Sequence, residues 1–355
     1  PSGIIKLATD SLARGNSYEG MSRGIPALRE ILISRETELL KADCYAKCYT
    51  AKNIVVCPGS IAGLAAAILA TCDPSDEILV ADPGWEIHKT QAELLGVSTV
   101  NYPLSEDKSW APNLEQLAKL VTPKTKAIIL SSPSNPTGGV IDQGSLLKIA
   151  KILAERSSNA YIISDEVYKG ISFVPCCSAL ALPEKYLPKV ITVSSFSKAH
   201  SMPGWRFGYV VADAPVAAML EKVARNLWIT TPSFIQRAIL GVSEEGVKTE
   251  VESMRREYET RRDIVLNALT VANISCVVPQ GSFYAFPRVN CSSVALANFL
   301  LEKHSVAVVP GLCFGSLGEE HIRLSFGKIA TNELPDAMSK LIEGIKQYNV
   351  QCQKE

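Results

Sequence analysis

An α/β architecture, with a mostly parallel sheet in a large domain and a smaller α+β domain after it, is expected from three observations. Short apolar, β-branched segments alternate with stretches of helical periodicity as far as Ala212, the pattern of a parallel sheet covered by helices. Consecutive helices follow, and short strands return from Ser275 onward. At 355 residues the chain is also longer than one hydrophobic core usually serves, so two packed units are expected.

The strand segments are Asn53 to Cys57, Glu77 to Ala81, Ala127 to Ser131, Tyr161 to Ser164, Val190 to Ser195 and Phe207 to Val211. Each is short and apolar, as strands buried on both faces should be. Between them, Ile61 to Ala70, Trp85 to Leu95, Leu114 to Val121 and Gln143 to Glu155 carry apolar residues at helical spacing. Ligands of such sheets bind outside the carboxyl ends of the strands. The charged stretch Glu250 to Arg262, with apolar Val251, Met254 and Tyr258, reads as a solvated connecting helix. Beyond it, Ser282 to Pro287, Val306 to Val309 and His321 to Ser325 read as strands among helices that end near Tyr348. The sequence has no repeats, low-complexity tracts or Gly/Ser linkers, so the two domains should pack closely.

Composition narrows the function. With 47% hydrophobic and 20% charged residues, the chain can bury a sizeable core. Lys plus Arg and Asp plus Glu are each 36, so net charge offers no electrostatic case for a nucleic-acid or acidic-membrane partner. The longest low-charge stretch, Ile54 to Cys72, is broken by Pro58, Gly59 and Ser60 and is too short in either piece to span a bilayer. No signal-peptide pattern opens the chain. Ten scattered cysteines lack paired CxxC spacing and read as reduced thiols, which points to the cytoplasm or another reducing compartment. His88, His200, His304 and His321 match no metal motif and are expected in packing or surface roles.

Four segments fall at expected strand ends: PGSIAG (Pro58 to Gly63), SSPSNPTGG (Ser131 to Gly139), ISDEVY (Ile163 to Tyr168) and SSFSKAHSMPGWRFGY (Ser194 to Tyr209). Gly59 and Ser60 close a strand and open a helix, so the N–H groups of Ser60 and Ile61 should point at an anion. Ser195 and Ser197 flank Lys198, and Arg206 lies eight residues on. Hydroxyls and a guanidinium suit a phosphate dianion, and an amine nearby forms a Schiff base if burial and positive neighbours lower its pKa.

The motifs SNPTG, SDEVY, SFSK and GWRFGY, in this order, resemble the class I/II aminotransferases, which depend on pyridoxal 5′-phosphate and share fold type I. The likeness runs from GIPALRE (Gly24 to Glu30) through GSFYAFP (Gly281 to Pro287) to VVPGLCFG and IRLSFG (Val308 to Gly327), nearly the whole chain. It implies a mixed seven-stranded sheet in a cofactor domain of residues 1–267 and a small domain of 268–355. It further implies transfer of the amino group of an L-amino acid to a 2-oxo acid through a Lys198 internal aldimine and a pyridoxamine phosphate intermediate, with Lys198 moving the proton between Cα and C4′. Asp165 would keep the pyridine nitrogen protonated, Tyr168 and Asn135 would hydrogen-bond the phenolic oxygen, and Trp85 would stack on the ring. Ser60, Ile61, Ser195, Ser197 and Arg206 would hold the phosphate, and Arg323 would bind the substrate carboxylate, with Asn135 beside it.

The resemblance also implies a homodimer, with Tyr18 reaching the partner's phosphate, although its spacing from Gly24 departs by one residue from the family pattern. No metal is expected. Where related aspartate aminotransferases can carry a lysine for the side-chain carboxylate, this chain has Ile61, which favours an alanine, aromatic or broad-range donor. Two other outcomes exist on such a scaffold: a C–S β-lyase or aminocyclopropane-carboxylate-synthase-like enzyme, and a non-catalytic cofactor-sensing module, which should carry a basic DNA-binding segment. The first residue is Pro1 rather than Met, and the family's N-terminal arm, which helps complete the small domain, is expected to precede it.

Overall fold

The strand segments assemble into one sheet of eight strands in a computed structural model, which describes residues 1–16, 20–40 and 49–352. The strands are β1 (Ile54–Cys57), β2 (Glu77–Asp82), β3 (Ser98–Ser105), β4 (Ala111–Pro112), β5 (Thr125–Ser131), β6 (Tyr161–Asp165), β7 (Val190–Ser195) and β8 (Gly208–Ala212). Their spatial order is β1-β8-β7-β6-β5-β2-β3-β4. The centre, β7-β6-β5-β2-β3, is parallel, while β8 runs antiparallel to both β7 and β1, and β4 antiparallel to β3.

The count differs from the expected seven through β3 and β4. Ser98, Asn101 and Pro103 make β3 a poor strand by propensity, and its first half, Ser98 to Asn101, is exposed or half-buried. Pairing with β2 over the whole run Glu77↔Ser98 to Asp82↔Pro103 overrides that preference.

Alternation along each strand feeds two cores. In β1, Ile54 and Val56 join one core and Val55 and Cys57 the other; in β5, Ile128 and Leu130 oppose Ala127 and Ile129. Helices α2 (Pro26–Leu40) and α6 (Gln143–Arg156) cover the first face with Leu28, Leu32, Leu146, Ile149 and Leu153. Helices α3 (Ser60–Thr71) and α7 (Ala214–Leu227) cover the second with Leu64, Ala67, Ile68, Val216 and Leu220. Helix α1 (Ser2–Ala13) packs on α8 (Ser233–Ile239), and α4 (Glu86–Leu94) and α5 (Leu114–Leu120) flank β3.

The connecting helix α9 runs over Glu245–Val271, longer at both ends than its charged stretch. Its Val265 and Leu269 turn into a third core with α10 (Ser293–His304), α11 (Leu334–Cys352) and a three-stranded antiparallel sheet, β10 (Val309–Pro310), β11 (Ile322–Ser325) and β9 (Tyr284–Ala285).

Candidate active site

The carboxyl ends of β1, β2, β5, β6 and β7 share one edge of the large sheet, because β1 and β7 both run antiparallel to β8. Chain reversal through Arg206 into β8 returns to that same edge. The four motif segments therefore converge although nearly 150 residues separate the first from the last.

At the β1 end, Gly59 caps α3 with φ +88°, and no side chain caps the helix. The first amides, those of Ser60 and Ile61, are left to an external acceptor. A Cβ on Gly59 would overlap the guanidinium of Arg206. Arg206 is exposed, adopts the left-handed conformation at φ 53°, and folds back over this turn, donating to the carbonyls of Pro203 (2.9 Å) and Pro58 (3.4 Å). Ser195 ends β7, where its buried Oγ accepts from the Ser197 amide at 2.9 Å. Helix dipole, hydroxyls and guanidinium together form a cradle for a dianion.

Lys198 follows on the loop after β7, partly buried, with Nζ 5.7 Å from the ring centres of both Tyr168 and Phe283. Burial, with positive charge on Arg323, Arg206 and Lys328, lowers its pKa, and Asp165 opposes the shift. Asp165 ends β6, fully buried in register with Ser131 and Val193. Its Oδ2 lies 3.1 Å from His88 Nε2, and its Oδ1 accepts from the Val167 amide at 3.3 Å.

His88 corrects the expectation of a plain packing or surface histidine. It sits three residues after Trp85 on α4, so both project to one side, and their rings meet edge-on at 5.4 Å. The i, i+3 spacing was readable; the partner, 77 positions away, was not.

Tyr168 donates to Tyr284 Oη at 3.2 Å. Burial, reinforced by Tyr284 and Asp165 and opposed by Arg323, pushes its pKa well up, so the phenol stays neutral. Asn135 is buried and its Oδ1 accepts from Arg323 Nη1 at 3.0 Å. The Arg323 guanidinium lies between the rings of Tyr284 (4.4 Å) and Phe314 (5.0 Å), with Nε buried and unpaired. Ile61 is 41% exposed on the first turn of α3. Tyr18 lies outside the described residues. Sequence reasoning missed Tyr284 and Phe314 as well as His88; an aromatic residue in a short apolar strand gives no sign of which cation it will face.

No group of three or more His, Cys, Asp or Glu side chains suited to a metal occurs among the described residues.

Comparison with known proteins places these features in a family. The family model described as aminotransferase class I and II matches residues 5–341. A (5-formylfuran-3-yl)methyl phosphate transaminase of Methanocaldococcus jannaschii is 34% identical, the match covering 98% of this chain and 88% of that protein. An aspartate aminotransferase of Musicola paradisiaca is 30% identical, over 100% of this chain and 88% of its own length. An aromatic aminotransferase structure from Pyrococcus horikoshii superposes with a TM-score of 0.92 at 30% identity, covering 98% of this chain and 93% of that one.

Proposed function

Since this chain belongs to the class I and II aminotransferases, pyridoxal-phosphate-dependent transaminases of fold type I, we propose which of its residues perform the transfer and which donors it takes. The observation that carries the assignment is the placement of Lys198, an amine of lowered pKa facing a buried carboxylate and next to an anion cradle.

The donor set fits pyridoxal 5′-phosphate. The uncapped amides of Ser60 and Ile61, the Ser195 and Ser197 hydroxyls and Arg206 would hold its phosphate. Asp165 would hold its ring nitrogen, Tyr168 and Asn135 its phenolic oxygen, and Trp85 would cover a ring face. When bound, this cofactor supplies an electron sink that makes the bonds at the substrate Cα labile. Lys198 Nζ would attach the cofactor and serve as the base that moves the Cα proton, a task its lowered pKa suits. Asp165, held by His88 and kept from water, would keep a proton on the ring nitrogen. Arg323 would grip the substrate carboxylate with two parallel N–H groups, its plane fixed by Tyr284 and Phe314.

The donor we propose is an aromatic or aliphatic L-amino acid, because Ile61 offers a second carboxylate no cation. The relatives' names span aspartate, aromatic and phosphate-bearing substrates, so the family alone does not select among them. A β-lyase outcome draws no support from these relatives. We divide the chain at about residue 267, within α9, a boundary supported by the separate core around Leu269, Leu296 and Leu341, which α9 begins to enter at Val265.

A homodimer is proposed from an exposed apolar patch. Met21, Leu227 and Ile229 are exposed, and the Met21 carbonyl accepts from the Thr230 hydroxyl. A reducing compartment, the cytoplasm, suits the thiols: burial raises those of Cys57, Cys176 and Cys276 to about 12, which keeps them protonated. No helix among the described residues is long and apolar enough to cross a membrane.

A half-reaction screen tests the function. Each L-amino acid is added to the cofactor-loaded protein and conversion to the pyridoxamine form is followed by absorbance. Aromatic or aliphatic donors should convert fastest; release of pyruvate and ammonia without a 2-oxo acid acceptor would identify a lyase. Borohydride reduction and peptide mapping should place the label on Lys198, and a label on another lysine would sink the assignment.

A further inference from the structure

Asp82 ends β2 beside the site but turns its buried carboxylate toward the small domain. Oδ2 accepts from the Ser316 amide (3.1 Å) and the Ser316 hydroxyl (2.9 Å), and Oδ1 from the Leu317 amide (3.1 Å). Two residues on, the Gly84 amide donates to the Phe314 carbonyl at 2.7 Å. Residues 82–84 thus hold the 314–317 turn at both ends. Gly315, between them, has φ +126°, and a Cβ there would overlap the Asp82 carboxylate, so the turn is shaped to admit it.

The side chain of Phe314, buried in that turn, forms one wall of the Arg323 guanidinium and meets Phe286 edge-on at 6.0 Å. Phe314 is thus one of three contacts on the Arg323 guanidinium, with the Tyr284 ring and the Asn135 side-chain oxygen.

We propose that Asp82 is a positioning residue for substrate binding: by clamping the 314–317 turn, it holds Phe314 against Arg323 and orients that guanidinium for the substrate carboxylate. The inference rests on the reading of Arg323 as the carboxylate ligand. Three hydrogen bonds to one buried carboxylate give the clamp its strength, while the exposed Ser316 and Leu317 amides can turn to water when it is removed, and loss of such a contact reaches a neighbouring site through packed side chains.

The test uses the full-length, cofactor-loaded protein and the donor that converts fastest in the half-reaction screen. Asp82→Ala should raise half-saturation by that donor about tenfold while the saturating rate stays within about threefold. In the cofactor-free protein the Ser316 and Leu317 amides should exchange hydrogen faster, with little change in the melting midpoint. Asp82→Asn, which retains one acceptor oxygen, should recover part of the affinity. Phe314→Leu should give the same split between half-saturation and rate with the Ser316 and Leu317 amides still protected.

Unchanged half-saturation in Asp82→Ala would overturn the proposal, as would a loss of cofactor affinity and melting midpoint in step with it, which marks a purely structural cap. A normal Phe314→Leu would remove the route through that ring. Arg323→Lys separates the two levels. If it binds the donor normally, the carboxylate role of Arg323 fails; if it loses binding while Asp82→Ala does not, only the Asp82 inference fails.

Discussion

Lys198 and Asp165 attract each other electrostatically, and the sign of that coupling is testable. Burial and three cationic neighbours lower the Lys198 pKa below its ordinary 10.5, while Asp165 raises it. A lysine shifted this way loses stability to its own protonation: the cost is full below the folded pKa and is relieved as pH rises from there toward 10.5. Competitive acylation of the cofactor-free protein should therefore label Lys198 at lower pH than exposed lysines, and Asp165→Asn should move its midpoint lower still. A midpoint at or above that of exposed lysines would contradict the reading.

Replacing His88 by Phe removes one of two hydrogen bonds to a buried carboxylate and should weaken cofactor binding about tenfold in an absorbance titration. The chemistry-bearing groups Lys198, Asp165 and Arg206 were legible in the sequence, because each stands in a motif at a strand end. Their partners were less so: His88 on Asp165 and Asn135 on Arg323 are contacts across 77 and 188 residues, and Phe314 over the same guanidinium, though near in sequence, is like them an ordinary residue type taken singly.

Elements within the parallel core were read almost to the residue, since β5, β6 and β7 are apolar runs bounded by turn signals and the helices between them keep their period. Reading failed at β3, where pairing rather than propensity makes the strand. It was also blind to the network that joins elements behind the site. Lys169 Nζ sits between Glu36 on α2 (2.5 Å) and Glu166 (2.8 Å) next to Asp165, all three side chains largely buried. Glu36 also accepts from the Tyr209 hydroxyl on β8, and Glu166 from Ser178 Oγ at 2.7 Å.

Burial alone would raise the Glu36 pKa, but Lys169 more than offsets it, so the carboxyl titrates below its ordinary 4.5. The stabilisation is then present above pH 4.5 and is lost as pH falls through the lowered value. Removing the cation leaves two buried carboxylates unpaired, so Lys169→Met should cost about 3–5 kcal/mol in chemical denaturation, with Lys169→Arg costing less. Equal stability of wild type and Lys169→Met would show that the pair is neutralised in the native state.

At the scale of the whole molecule, the apolar patch of Met21, Leu227 and Ile229 predicts assembly. Sedimentation velocity should give twice the chain mass, and Leu227→Asp, at the exposed end of α7, should shift it toward the monomer. A wild-type monomer would refute the homodimer. The end of the large sheet was legible from the change of pattern after Ala212, where β8 closes and consecutive helices follow. The clasp between β2 and the 314–317 turn, made by Asp82, could not be read, since it depends on a backbone turn more than 230 residues away.

The position of β8 carries a further consequence. Because this strand alone bridges β1 to the rest of the sheet, the amides of α3 and the guanidinium of Arg206 meet only after β1 and β7 have closed on it from opposite sides. A ligand that needs both groups can therefore bind only once this long-range pairing, with its loop-closure cost, is complete. A nascent chain that has emerged no further than Lys198 holds the lysine and the carboxylate but lacks Arg206 and the strand that brings it to α3. A ligand bound there would stabilise the completed pairing by mass action, so the melting midpoint should rise with cofactor concentration.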